Sequence, residues 1–167
     1  MQPPFEFSAP WSRGLLATSL AATALFFGVA AFGYLQPGLP AWARWTLTTL
    51  PLLTLIGAAL WTVRGYVLEP GVLRVRRLLW DTCLPLDGLE SARWDPEATR
   101  GSLRLFGNGG LYSYHGWFWN RRLGRYRLYA TDPKRAVVLR FARRTIVVSP
   151  GEPADFVRAL PTRRAAP

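Results

Sequence analysis

The sequence predicts two membrane-spanning helices in a hairpin, followed by a mainly-β barrel of about seven strands closed by a C-terminal capping helix. Three observations carry this expectation: two long charge-free runs near the amino end, apolar residues at alternate positions from about residue 64, and one amphipathic stretch near the carboxyl end. The 167 residues suffice for one modest domain plus an anchor.

The first run, GLLATSLAATALFFGVAAFGYL at 14–35, is 22 residues long, and the second, WTLTTLPLLTLIGAALWTV at 45–63, is 19. As helices they reach roughly 33 and 28 Å, against a hydrocarbon core of about 30 Å. A mid-span Asp, Lys or Arg would cost about 2.5–3.5 kcal/mol on the insertion scale, and neither run contains one. A soluble domain of this size is too small to cover two such helices all round. A cleaved signal peptide fits the first run less well than a retained helix, because the apolar stretch is long and a second span follows at once. Ala17, Ala21, Ala24 and Gly28 line one face of the first span and suit close helix packing.

The link QPGLPAWAR, residues 36–44, is short enough to force antiparallel neighbours. It carries only Arg44, whereas Arg13, Arg64, Arg74, Arg76 and Arg77 flank the opposite ends of the spans. Positive charge is retained inside, so both termini are expected in the cytoplasm, making this a multi-pass protein of a bacterial inner membrane. The lone Cys83 has no cysteine to pair with in the chain and reads as a small buried residue. The organisation expected is therefore an N-terminal cytoplasmic tail at 1–13, the hairpin at 14–63, a cytoplasmic domain at 64–160 and a frayed tail at 161–167. Residues 64–167 hold 19 of the 21 lysines and arginines and 9 of the 10 acids, so +10 of the net +11 lies there. Such a domain, tethered below an anionic leaflet, is attracted to it through its nearest face only, since the field decays over about 8 Å.

Strands follow from the alternation. GYVLEPGVLRVRRLLW reads as a hairpin turning at Pro70-Gly71, with Leu73 and Val75 alternating against Arg74 and Arg76. Short strands are expected at 82–86 and 89–94, a polar loop at 95–102, and strands again at 102–106, 125–131, 135–141 and 143–149. The last two are close enough to form a hairpin. PGEPADFVRAL supplies Pro153 in a first helical turn and Phe156, Val157 and Leu160 on one face.

The segments YVLEPGVLRVRRLLW…LPLDGLESARW, RLFGNGGLYSYHGWFWNRRLGRYRLYATDP and VVSPGEPADFVRAL resemble the bacterial PH-domain membrane proteins, whose domains have a pleckstrin-homology-like fold. The resemblance covers nearly all of 64–160. It implies a PH-like barrel capped by the C-terminal helix, and it implies no catalytic residues and no ligand.

LFGNGGLYSYHGWFWNRRLGRY, residues 105–126, concentrates five glycines, seven aromatics, three arginines and the sole histidine. GNGG is followed by no GK[ST] and lacks GxGxxG spacing, so no nucleotide cradle is expected. His115 has no ligand partners nearby in sequence, and Ser113 lacks a GxSxG context; no metal, cofactor or catalytic residue is predicted. Gly107, Gly109, Gly110 and Gly116 are expected at structural turns or bulges, and bulky groups on both faces near His115-Gly116 imply either a bulge there or a segment covered on both sides. Trp117, Phe118, Trp119, Arg121 and Arg122, together with Arg74, Arg76 and Arg77, are the candidate membrane or partner contacts.

The function expected is a membrane-anchored, non-catalytic PH-like binding or scaffold module with an unidentified protein partner. The alternative is a sensor of anionic lipid through a basic face. Arginines interleaved with aromatics also suit single-stranded nucleic acid, but a membrane-tethered domain without a recognition motif makes that partner improbable. An enzyme has no supporting constellation, because Glu69, Asp81, Asp87, Glu90, Asp95 and Glu97 are scattered among turns.

Overall fold

A computed structural model describes residues 5–161. The tail expected at 161–167 lies outside that range except for Pro161, as do residues 1–4. Helix α1 (Arg13–Leu35) starts at Ser12, whose hydroxyl accepts from the Leu15 N–H at 3.1 Å. Helix α2 (Ala41–Leu60) begins four residues before the expected span, because Pro40, with its fixed φ, stands where a helix is entered. The link between the helices is thus 36–40. Both helices are long and apolar enough to cross a membrane.

Strand β1 (Phe5–Ser8) precedes α1 in what the sequence led us to expect as a tail. It pairs antiparallel with β2 (Gly65–Glu69), Phe5 opposite Leu68 and Ser8 opposite Gly65. The four-stranded sheet runs β1-β2-β3-β4, with β3 at Val72–Arg76 and β4 at Asp81–Pro85. The alternation turns Leu84 inward and Cys83 outward, so Cys83 is exposed rather than buried as expected.

Six more strands make the second sheet: β5 (Leu89–Trp94), β6 (Leu103–Leu111), β7 (Ser113–Asn120), β8 (Gly124–Ala130), β9 (Val137–Phe141) and β10 (Arg144–Val148). Their order is β5-β9-β10-β8-β7-β6. β9 and β10 form the hairpin that the sequence predicts, and β10 runs parallel to β8. Among the described residues ten strands stand against an expectation of about seven: the alternation marks eight, and β1 and β7 add two, since the glycine-rich stretch is itself a long hairpin.

The main core lies between the sheets, where Tyr66, Leu73, Val75, Leu139 and Val148 meet Phe156 of α3 (Pro153–Ala159). The Phe156 ring packs edge-on against Phe7 of β1 at 5.0 Å. Burying each such side chain stabilises the fold by about 1.5–3 kcal/mol. A second core occupies the other face of the six-stranded sheet. There Phe118, Tyr126, Leu128 and Val147 are covered by the 95–102 loop through Ala98.

One stripe of α1 joins helices to barrel. Leu15 and Ser19 in its first half, and Ala30 and Gly33 in its second, are its buried residues. Gly33 meets α2 so closely that a Cβ there would lie 2.6 Å from the Leu47 Cβ. Ala17, Ala21, Ala24 and Gly28, the face suited to helix packing by sequence, is exposed instead. The first half of the buried stripe is committed to the barrel, which fixes the helix's rotation and turns the alanine face outward.

A candidate binding pocket at the base of the helix hairpin

The β6–β7 hairpin turns at Tyr112, whose φ of 63° is left-handed. α1 holds this turn: the Tyr112 N–H donates to Ser19 Oγ at 2.9 Å, and the Tyr112 hydroxyl lies 2.8 Å from Thr23 Oγ1. Thr18 Oγ1 donates to the Gly110 carbonyl at 3.2 Å.

Behind the turn the two strands come together at Gly107 opposite Gly116. Both have positive φ, 110° and 124°, and a Cβ on either would stand 2.2 Å from a backbone oxygen of the other strand. The register shifts fall in β6, between Arg104 and Phe106 and between Gly109 and Leu111, so the bulge, one of the two alternatives at His115-Gly116, is not found there. Gly109 lies beside the Arg104 side chain and Gly110 has positive φ in the turn.

The register of β7 against β8 sets His115 opposite Tyr129 and Trp117 opposite Arg127. These four line one wall of a cavity of about 500 Å³, which Trp61, Arg77, Trp80 and Phe106 close from the end of α2, the β3–β4 turn and β6. His115 stacks on Trp61 at 5.4 Å, and Trp80 meets the same indole edge-on at 5.3 Å.

Arg77 is the central polar feature, 5% exposed and without a carboxylate partner among the described residues. Its Nη1 donates to the Trp61 carbonyl, one of the orphan acceptors at the C-terminal end of α2, and Nε donates to Thr82 Oγ1 at 2.9 Å. The guanidinium also sits 4.8 Å over the Trp61 ring and 5.6 Å over that of Tyr129. Burial lowers its pKa, with the Arg127 charge acting in the same direction, but a guanidinium stays charged at any ordinary pH. Arg127 lies 5.5 Å over the same Tyr129 ring and 5.3 Å over that of Trp117.

Burial, and secondarily the Arg77 charge, lower the His115 pKa from 6.5 to about 4. The imidazole is therefore neutral near pH 7. The group is a base with a depressed folded pKa, so its contribution is complete above about pH 6.5 and is lost as pH falls toward 4. Thermal unfolding of detergent-solubilised protein should thus show a drop in Tm over that window which is shallower in His115→Gln. Parallel curves for the two proteins would rule the burial of His115 out as the cause.

A family model described as a bacterial PH domain matches residues 64–164. The chain belongs to this family. No curated protein and no solved structure matches it. The matched segment begins after α2, so the helix hairpin and β1 lie outside it.

Within this bacterial PH domain the residues expected to contact membrane or partner are dispersed. Arg74 is paired with Glu69 at 3.0 Å and Arg76 with Glu6 at 2.8 Å, both at the surface where solvent screens such pairs. Arg122 is tied to Asp95 at 2.9 Å and to the Glu97 carbonyl, pinning the 95–102 loop. Phe118 is in the second core, because even-numbered β7 positions face it; it is not a surface contact. Trp119 and Arg121 are exposed at the far end of β7, roughly 25 Å of strand from the turn that touches α1. Trp117 and Arg77 alone of the expected contacts reach the pocket. Trp61 was legible in the sequence only as an aromatic at the end of the second span, and Trp80, Arg127 and Tyr129 were not singled out; the spacing of Arg127 and Tyr129 on β8 was the available signal.

Proposed function

We propose that this protein is a membrane-anchored, non-catalytic PH-like binding module of a bacterial inner membrane. Both termini are cytoplasmic, and the pocket at the base of the hairpin is its recognition site. The observation that carries the reading is the α1 stripe: Ser19 and Thr23 grip the Tyr112 turn, so hairpin and barrel act as one body.

Length supports a close approach to lipid. Beyond Thr23, α1 has twelve residues, about 18 Å, and α2 has sixteen, about 24 Å, before Gly57 and Ala58 reach β6. Either is short of the ~30 Å hydrocarbon core, so helices that span it must draw the adjacent rim of the barrel into the interface. That rim bears exposed Leu79, Phe106 and Leu105, whereas a water-facing rim would be polar. Retained helices and five flanking arginines against one support the orientation. The non-catalytic reading is supported by Ser113, which contacts His115 Nδ1 at 3.2 Å but is fully buried.

Membranes washed with alkaline carbonate should retain the protein, and a C-terminal green fluorescent fusion should fluoresce where a C-terminal alkaline phosphatase fusion stays silent. Release into the wash, or an active phosphatase, would end this reading.

A further inference from the structure

Resting on the proposed anchoring, we infer that the cavity beside Trp61 binds the phosphate of an anionic phospholipid, with Arg77 and Arg127 as its ligands. The cap of α2 accounts for only part of Arg77. Nε and Nη1 serve Thr82 and Trp61, but Nη2 has no acceptor among the described residues, although the side chain is 95% buried against a cavity wall. The Tyr129 hydroxyl, on the ring that Arg77 and Arg127 both overlie, is buried and has no partner among the described residues. Two guanidinia share one tyrosine ring, and neither has a carboxylate partner among the described residues. Like charges so placed repel unless an anion lies between them, and guanidinium donors match phosphate oxygens in geometry.

The rest of the cavity selects the source of the anion. Its walls are largely aromatic, and Phe106, 76% exposed, stands at its edge next to Leu105. Leu79, beside Trp80, is 73% exposed. A small hydrophilic phosphate gains nothing from such a margin, whereas acyl chains continue over it onto α2. Aromatic walls alone would suit a choline cation, but two arginines exclude one.

The test uses the full chain in a non-ionic detergent. Thermal stability is titrated with phosphatidylglycerol, with zwitterionic phosphatidylethanolamine, and with inorganic phosphate and glycerol phosphate. Saturable stabilisation by phosphatidylglycerol alone is expected. Arg127→Gln, at an exposed position outside both cores, should fold normally and need about tenfold more of that lipid for the same shift. Arg77→Lys should be similarly weakened. Equal stabilisation by the water-soluble phosphates would overturn the lipid assignment, leaving a soluble anion as the ligand. No response to any of them, or a response that Arg127→Gln does not weaken, would overturn the site itself. Anchoring is read separately by carbonate washing: protein that stays in the membrane yet ignores anionic lipid defeats this inference alone.

Discussion

Gly116→Ala should strip β6 from its sheet. The new methyl would fall 2.2 Å from the Phe106 carbonyl oxygen and 2.9 Å from the Gly107 Cα, both backbone atoms with no rotamer to yield. The residue would also have to hold φ near 124°, where side-chain-bearing residues are rare and strain costs on the order of 1–3 kcal/mol. Since β6 is an edge strand, separation from β7 is the only relief, and it opens the pocket wall between Phe106 and His115. We expect a loss of more than about 3 kcal/mol, a large fraction of a domain's total stability. Trp117 fluorescence should shift toward that of a solvated indole. Gly71→Ala is the control: its φ is 78°, but nothing lies within 4 Å, so only the left-handed cost of about 1–2 kcal/mol applies. Equal melting of the two variants would mean that the strands do not approach as described.

The same glycines explain what the sequence concealed. A strand is read from alternating apolar and polar side chains, and Gly107, Gly109 and Gly110 have none to alternate. β6 was therefore legible as a strand only to Phe106, and its last residues read as a bulge or strand turn. β3 was legible because its buried Leu73 and Val75 alternate with more exposed residues. β2, β9 and β10 were legible because each is a short apolar run bounded by turn residues, although mostly buried on both faces, and α1 because a charge-free run of that length has one stable form. β1 was not, since four residues ahead of a helix gain their meaning from a partner about sixty residues away. The pocket shares this limit. Arg77 looked like one of several basic residues beside Arg74 and Arg76, and only the arrival of α2 and β8 around it removes its exposure. The five residues from Trp117 to Arg122 do not form one patch, because a strand sends neighbours to opposite faces and carries its ends apart.

Removal of a single oxygen at Tyr66 should weaken the junction of the two sheets more than any surface change. The Tyr66 side chain is wholly buried; its hydroxyl donates to the Tyr129 carbonyl at 2.7 Å and accepts from the Ser149 N–H at 3.0 Å. These two groups stand where the parallel β8–β10 ladder ends, at the pair Val148 and Tyr129. Tyr66→Phe keeps the ring beside Phe156 but leaves an N–H and a carbonyl buried without partners, each costing about 1–3 kcal/mol. Tyr66→Ala adds a cavity and should cost about 3–5 kcal/mol more, enough to unfold the domain. Alkaline titration gives an independent reading. Burial, opposed by the Ser149 hydrogen bonds and the Arg77 charge, pushes the Tyr66 pKa up from 10.0 to about 12. A raised folded pKa confers stability that is complete below pH 10 and is lost as pH rises toward 12. Burial raises Tyr114, Tyr126 and Tyr129 as well, and those contributions are common to both proteins. The parent should therefore lose stability more steeply than Tyr66→Phe above pH 10, narrowing the gap between them. A gap that stays constant to pH 12 would place the hydroxyl in water and break the link between the sheets.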